Sequence, residues 1–464
     1  MYDKQFQSQD ISNTTFLITG GAGFIGSNIV TYLMRYGAGK VIVLDNLSNG
    51  YLANIEQFVG QSNFQFIEGD ITDLDTCKKA MEGVDYISHQ AALGSVPRSI
   101  ENPVATHLAN ATGFLNILTA AKESEVKRIV FASSSSVYGD SKELPKKEEN
   151  IGRQLSPYAV SKHTKELYAK VFADVYGLDV IGLRYFNVFG PNQNPSGPYA
   201  AAIPLFMDAI LKNESPFING DGWQSRDFTF VENAVQANIK ALFSEKEVKG
   251  KIINIACGGR VTINELFTSI RAIVGNDVEA IYREERPGDV RDSLANISLA
   301  QDLIDYNPEF GIEDGLAITI DWFKNEKEIA SLKLHKQTKH TIFALIDKIY
   351  INKDITTRYL KQDPHFNPGA TVLEAALDSD NKQIRAIKAL EWATLMQKEE
   401  DIQDAISKVD DLKAWDIEAR IKEAIQMGFT RAVVPKKNLK SLKSYAQKIR
   451  LTGVERVEEA VEEG

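Results

Sequence analysis

From residue 15 to about residue 190 the chain alternates short apolar runs with longer segments whose apolar residues recur at helical spacing. The short runs predict strands at Thr15–Thr19, Lys40–Asp45, Phe64–Glu68, Tyr86–His89, Arg128–Ser133 and Val180–Tyr185. Helical periodicity fills the gaps, most clearly over Gly113–Lys122 and Ala159–Tyr176. Strands alternating with helices predict a parallel sheet covered on both faces. The expected fold class is therefore α/β, a doubly wound parallel sheet over residues 12–190. Pro191, Pro195, Gly197 and Pro198 then form a loop, and shorter mixed elements follow to residue 327. This smaller mixed α/β region, 191–327, is expected to reach over the strand ends of the first, where open α/β sheets bind ligands. Beyond Trp322-Phe323-Lys324 the composition shifts to Lys, Glu, Ala and Ile with few glycines, which predicts a mostly helical extension over 328–464. Within it Ala432-Val433-Val434 reads as a strand and Val454–Glu463 as a charged terminal helix.

The junction after the first strand narrows the fold further. Thr19 to Gly26 read TGGAGFIG, between the apolar run Phe16-Leu17-Ile18 and a helical segment beginning at Ser27. Without Cβ atoms, Gly20, Gly21 and Gly23 let the backbone turn tightly and approach a pyrophosphate, and Gly26 lets the helix pack close to the strand. The first free N–H groups of the helix, in the stretch holding Phe24 and Ile25, then face the phosphates. The second strand ends in Asp45, next to Asn46, at the separation where an acid takes the ribose hydroxyls of NAD. A carboxylate there disfavours a 2′-phosphate, so the sheet is expected to be a Rossmann domain that binds NAD rather than NADP.

Tyr158-Ala159-Val160-Ser161-Lys162 sets a phenol and an ammonium on one helix face. An unperturbed phenol titrates near ~10, too high for a general base at neutral pH. A nearby Lys⁺ and a cationic nicotinamide both favour the phenolate and pull that value down. The hydroxyl run Ser133-Ser134-Ser135-Ser136 sits at the C-terminal end of the fifth strand, where it can hydrogen-bond a sugar hydroxyl and relay its proton.

Composition then removes whole classes of function. The 464 residues exceed one ordinary core, so several domains are expected. A formal charge of −10 speaks against nucleic acid or an anionic membrane as the main partner. No apolar run is long enough to span a bilayer, and the polar start Met1-Tyr2-Asp3-Lys4-Gln5 has no signal-like apolar segment, so the expected compartment is the cytoplasm. Cys77 and Cys257 give neither a disulfide framework nor a zinc set, and His335, His340 and His365 have no ligand spacing, so no metal is expected. His89 is expected to be structural, and Cys257 to end a buried strand rather than act as a nucleophile.

GGAGFIG, SSSSVYG, YAVSK and Arg184-Tyr185-Phe186-Asn187-Val188-Phe189-Gly190-Pro191 together resemble the extended short-chain dehydrogenase/reductase family, and within it the NAD-dependent nucleotide-sugar epimerases. His89-Gln90-Ala91-Ala92-Leu93-Gly94-Ser95-Val96-Pro97-Arg98-Ser99 is similar to the bacterial UDP-N-acetylglucosamine 4-epimerases that supply surface polysaccharides. The resemblance covers about residues 12–327. It implies Tyr158 as base, Lys162 as its electrostatic partner and ribose ligand, and Ser134 as the hydroxyl beside the sugar's 4-OH. It implies that Asp70 and Ile71 hold the adenine and that Ala91 and Ala92 line the cofactor channel. Ser135, Ser136 and Asn187 would meet the substrate, and Arg226, Arg286 and Asp289 belong to the motifs expected to hold its diphosphate, a task that suits a guanidinium fork.

The chemistry so implied is removal of the 4-OH proton by Tyr158 while C4 gives hydride to NAD⁺. The 4-keto sugar then turns over and hydride returns to its other face, with NAD retained between turnovers. Dehydratases of this family carry an Asp-Glu pair where this chain has Ser135 and Ser136, so water elimination is not expected. The small Ser293 occupies the position that gates the sugar's C2 substituent, which implies room for UDP-GlcNAc, UDP-GalNAc or their uronates. UDP-glucose, or a UDP-uronate epimerase or decarboxylase activity, is the alternative. A sensor that only binds NAD and nucleotide sugar would need no base, which Tyr158, Lys162 and Ser134 argue against. Family members dimerise through two long helices, so a homodimer through Gly113–Lys122 and Ala159–Tyr176 is expected. In the extension, Ile417 to Leu439 and Gly453 to Ala460 resemble the end of a Lon-protease-like domain of a DNA-repair ATPase. No P-loop, zinc site or serine nucleophile accompanies them, so an interaction module with an unknown partner is expected there.

Overall fold

The apolar runs pair as their alternation predicts. In the computed structural model, which describes residues 1–195, 201–285, 291–325, 431–435 and 450–454, seven strands build one sheet. They are β1 (Thr15–Thr19), β2 (Lys40–Asp45), β3 (Phe64–Glu68), β4 (Tyr86–His89), β5 (Arg128–Ser134), β6 (Val180–Tyr185) and β7 (Ile252–Ile255). Their order is β7-β6-β5-β4-β1-β2-β3, and every adjacent pair is parallel. The seventh strand comes from beyond residue 190, so the sheet also draws on the segment assigned from sequence to the second region.

Alternate residues of each strand feed two cores, the period-2 rule for a sheet buried on both faces. Phe16, Ile18, Val41, Val43, Val130 and Ile181 pack with Ile29, Val30 and Leu33 of α1 (Phe24–Arg35) and with Val235, Ile239 and Leu242 from residues 231–243. Leu17, Ile42, Leu44, Ile87, Ile129 and Phe131 pack on the other face with Phe114, Ile117 and Leu118 of α2 (Gly113–Lys122) and with Ala169 and Phe172 of α3 (Pro157–Tyr176).

The order reverses at β1, with β2 on one side and β4 on the other, so their outgoing loops part and leave a crevice. α3 begins earlier than the periodicity alone suggests. Ser156 accepts a hydrogen bond from the backbone N–H of Ala159, Pro157 takes the first helical position, and Gly177 ends the helix at φ 72°. That start places Tyr158 inside the first turn, on a helix fixed by its own caps.

A separate core holds part of the chain after residue 188, around Phe189, Phe206, Met207, Phe230, Leu266 and Phe323. Contacts divide the chain into units Met1–Leu332 and Lys333–Gly464. In the second unit Arg431–Pro435, the strand expected at Ala432-Val433-Val434, pairs in parallel with Arg450–Val454. The rest of the expected terminal helix, and most of the segments likened to a Lon-type domain, lie outside the described residues.

Candidate active site

The glycine turn shows why those positions lack side chains. Gly20 has φ +68°, and a Cβ there would stand 2.6 Å from the backbone N of Ala91. A Cβ on Gly26 would stand 2.1 Å from the carbonyl oxygen of Gly20. α1 starts at Gly23 with no side-chain cap, which leaves its first N–H groups to an anion. At the end of β2 the buried Asp45 accepts hydrogen bonds from the N–H of Ala22 at 2.9 Å and of Leu47 at 2.8 Å. It therefore braces the glycine turn from below. Asn46 donates to Asp70 at 2.8 Å, and Ile71 packs on Gly113.

The catalytic end is built on β5 and α3. Ser134, the last residue of β5, caps the short turn Ser135–Tyr138 by accepting from the N–H of Ser136. Its hydroxyl also hydrogen-bonds the Tyr158 phenol, which lowers the phenol's pKa, but burial raises it by more. The expectation that neighbouring charge depresses this phenol is thus not met by the polypeptide itself. Lys162 stands with its ammonium 5.6 Å from the Tyr158 ring centroid and donates to the carbonyl of Ala132 at 2.9 Å. Burial brings Lys162 down to about 8, opposed by Glu166. Glu166, one further turn along α3, accepts from Ser133 and is held by both Arg184 Nε and Nη2 at 2.8 Å, in a pair whose side chains are 4% and 5% exposed.

One cleft of about 890 Å³ joins these parts. It is lined by Gly20, Gly23, Phe24, Ile25, Gly26, Asp45, Asn46, Asp70, Ile71, Ala91 and Ala92 at one end. Ser134, Ser135, Ser136, Tyr158, Lys162, Asn187, Arg226 and Ser293 line the other. Arg286 and Asp289 lie outside the described residues. A cleft with an uncapped helix start, a carboxylate at the end of β2 and a glycine-only approach fits a dinucleotide.

Asn187 adopts φ 36° and donates to the backbone of Asp227, while Arg226 donates to the carbonyls of Ser225 and Arg291. Asp227 closes the Gly220–Asp227 motif that holds Arg226 but was given no role from sequence, yet it is fully buried and accepts from the N–H groups of Cys257, Gly258 and Ala295. Burial pushes its carboxyl up to about 6, and its bonds tie the segment after β7 to the Arg226 loop. His89 is fully buried, shares a hydrogen bond with Thr19 at 2.8 Å and is made a much weaker base by burial, in keeping with a structural part. Burial pushes the Cys257 thiol up to about 11, so little thiolate is present at neutral pH.

A doubly wound sheet, a glycine-turn cofactor cleft and a serine-tyrosine-lysine set define an NAD-dependent enzyme of the short-chain dehydrogenase/reductase class. Comparison with known proteins makes the assignment narrower. A profile of the NAD dependent epimerase/dehydratase family matches residues 16–256. The chain is 40% identical to a putative UDP-glucose 4-epimerase of Methanocaldococcus jannaschii, over 67% of this chain and 98% of that protein. It is 42% identical, with TM-score 0.64, to the UDP-N-acetylglucosamine 4-epimerase from Methanobrevibacter ruminantium M1 solved in complex with UDP-N-acetylmuramic acid, over 68% of this chain and 99% of that one. It is 33% identical, with TM-score 0.61, to the Thermus thermophilus UDP-glucose 4-epimerase solved with NAD, over 67% and 99%. The chain belongs to the NAD-dependent epimerase/dehydratase family, among its nucleotide-sugar epimerases. All three likenesses cover about two thirds of this chain. Among the described residues no helix is long and apolar enough to cross a membrane.

Proposed function

We propose that the chain interconverts UDP-N-acetylhexosamines at C4, with UDP-GlcNAc and UDP-GalNAc or their uronates as the pair, for surface polysaccharide synthesis. The observation that carries this reading is Ser293, a small side chain lining the same cleft as Ser134 and Tyr158, with its backbone fixed by a 3.1 Å hydrogen bond to Ser225. A larger residue there would fill the space that an N-acetyl group needs. UDP-glucose, named in two of the relatives, is the alternative substrate, and the empty gate favours the acetylated sugar over it.

Tyr158 removes the proton of the sugar's 4-OH and later returns it, with the Ser134 hydroxyl bridging phenol and sugar. NAD, when bound at the glycine turn, supplies the hydride acceptor and donor and a cationic ring that favours the phenolate. Lys162 holds the ribose and adds positive charge near the phenol. Arg226 and Arg286 hold the diphosphate, while Asn187, Asp289, Ser135 and Ser136 orient the sugar nucleotide. The test is turnover of UDP-GlcNAc and of UDP-glucose, followed by NMR, in wild type and in Ser293→Tyr. Overfilling the gate should cut UDP-GlcNAc turnover about tenfold or more relative to UDP-glucose. Unchanged UDP-GlcNAc turnover in Ser293→Tyr would remove the gate.

The protein is further read as a homodimer through α2 and α3, as expected from sequence, with residues 96–107 ahead of α2 added to that face. Val160, Leu167, Val171 and Val175 form an apolar stripe on α3, each at least half exposed, and Ile100 and Val104 are exposed nearby in sequence to α2. Light scattering of wild type against Val171→Glu tests this: the variant should be monomeric, and a monomeric wild type would contradict the reading.

A further inference from the structure

Lys146 belongs to no motif, yet it lines the same cleft as Ser134 and Tyr158. Neighbouring segments fix its backbone. The Lys146 N–H donates to the carbonyl of Leu294 at 2.7 Å, and its own carbonyl accepts from Asn296 at 2.9 Å and from the Asn254 amide at 3.0 Å. The residue is 4% exposed. Its Nζ donates to the carbonyl of Ser141 and stands 6.0 Å from the centroid of the Tyr138 ring. Tyr138 ends the turn that Ser134 caps and that also holds Ser136, so this ammonium stands near that turn.

An ammonium has three donors, and the Ser141 carbonyl uses one. Among the described residues, no carboxylate stands within 4.0 Å of it. Glu143 on its own loop is the charged group that acts on it, Glu148 on the same loop accepts from the Asn254 backbone N–H, Arg184 stacks on the same Tyr138 ring, and Arg226 and Asp292 line the same cleft. Asp292 already accepts from the Ser225 hydroxyl. Burial makes Lys146 a weaker base, with Glu143 opposing. In the same wall the Ser136 hydroxyl is buried without a hydrogen-bond partner. A buried cation with spare donors and an orphaned hydroxyl lining the same cleft are costly unless something completes both. A neutral sugar hydroxyl would satisfy Ser136 and leave the charge uncompensated, whereas a carboxylate satisfies both.

We propose that Lys146 and Ser136 form a carboxylate subsite for the reacting sugar, so that the preferred substrate is an acidic nucleotide hexosamine. This rests on the epimerase reading above and selects among its substrates. The acid group can be the C6 carboxylate of a uronate or an ether-linked carboxylate on the ring, which share this chemistry.

The experiment compares kcat/KM for UDP-N-acetylglucosaminuronate, UDP-N-acetylmuramate and UDP-GlcNAc in wild type, Lys146→Met and Lys146→Arg. One acidic sugar should be preferred over UDP-GlcNAc by about tenfold or more, the effect of one charge-assisted hydrogen bond. Which one is preferred tells the two sources apart. Lys146→Met should bring that ratio close to one, and Lys146→Arg should keep most of it. A ratio near one in wild type, or a ratio unmoved by Lys146→Met at an unchanged melting temperature, overturns the subsite. Conversion of none of the three defeats the N-acetylhexosamine reading of the proposed function instead. Calorimetric titration of the same nucleotides into Tyr158→Phe, with and without Lys146→Met, then still decides the subsite. A selective loss of acidic-ligand affinity supports it, and an equal loss or none overturns it.

Discussion

Glu166→Gln probes how the chain keeps its catalytic helix charged in a dry interior. Glu166 accepts from Ser133 and from two nitrogens of Arg184, and both partners of the ion pair are about 95% shielded from water. The substitution keeps the shape and leaves the guanidinium with an amide in place of its counter-charge. Breaking such a pair on one side costs about 3–5 kcal/mol. At about 2 °C per kcal/mol for a unit of this size, the melting temperature should fall by roughly 6–10 °C. The double variant Glu166→Leu with Arg184→Met removes both charges and should recover at least half of the loss. Only the Ser133 hydroxyl and the Glu148 carbonyl, which Arg184 also reaches, are then left unpaired. A second readout is catalytic, because Glu166 supports the proton on Lys162. Its loss should move the alkaline limb of kcat/KM to lower pH. Urea and thermal unfolding with a pH–rate profile give both answers. A single variant within about 1 kcal/mol of wild type, or a double variant no more stable than the single, would refute the reasoning.

Lys162 titrates at about 8, because burial disfavours its charge. As pH rises through that value the ammonium is lost, so kcat/KM should fall about tenfold per pH unit above it, and Lys162→Arg, which stays charged, should abolish that limb. In Gly26→Ala the new methyl would meet the Gly20 carbonyl at 2.1 Å, and neither backbone can yield without opening the turn. The variant should purify without stoichiometric NAD, measured by absorbance after acid release, and wild-type NAD content would contradict the role given to that glycine.

The sheet was legible because its strands are apolar on both faces and bounded by turns. Six of the seven strands follow from that pattern. The seventh, Ile252–Ile255, was expected as the buried strand that Cys257 ends, but its membership of this sheet shows only in its pairing with β6, at long sequence separation. The cleft residues were legible where chemistry demands a residue type, as at Gly20, Gly26, Asp45, Tyr158 and Lys162. Glu166 could have been found by extending the four-residue spacing of Tyr158 and Lys162 by one more turn. Asp227 and Lys146 could not, since their parts arise from segments folding back on them: Asp227 from the chain after β7, Lys146 from the loop near Ser293. The burial that raises the phenol in the protein alone was not legible, because residue spacing reports neighbours and is silent on how deeply the ring is desolvated.

The central claim is that the Tyr158 phenol exchanges the proton of a sugar alcohol while the cofactor stays bound. The most direct measurement mixes purified protein with UDP-GlcNAc and its uronate, without added NAD, and follows the C4 epimers by NMR in wild type and Tyr158→Phe. Wild type should bring each accepted sugar to equilibrium with its epimer, and Tyr158→Phe should bind nucleotide yet convert none. Conversion that persists in Tyr158→Phe would contradict the account.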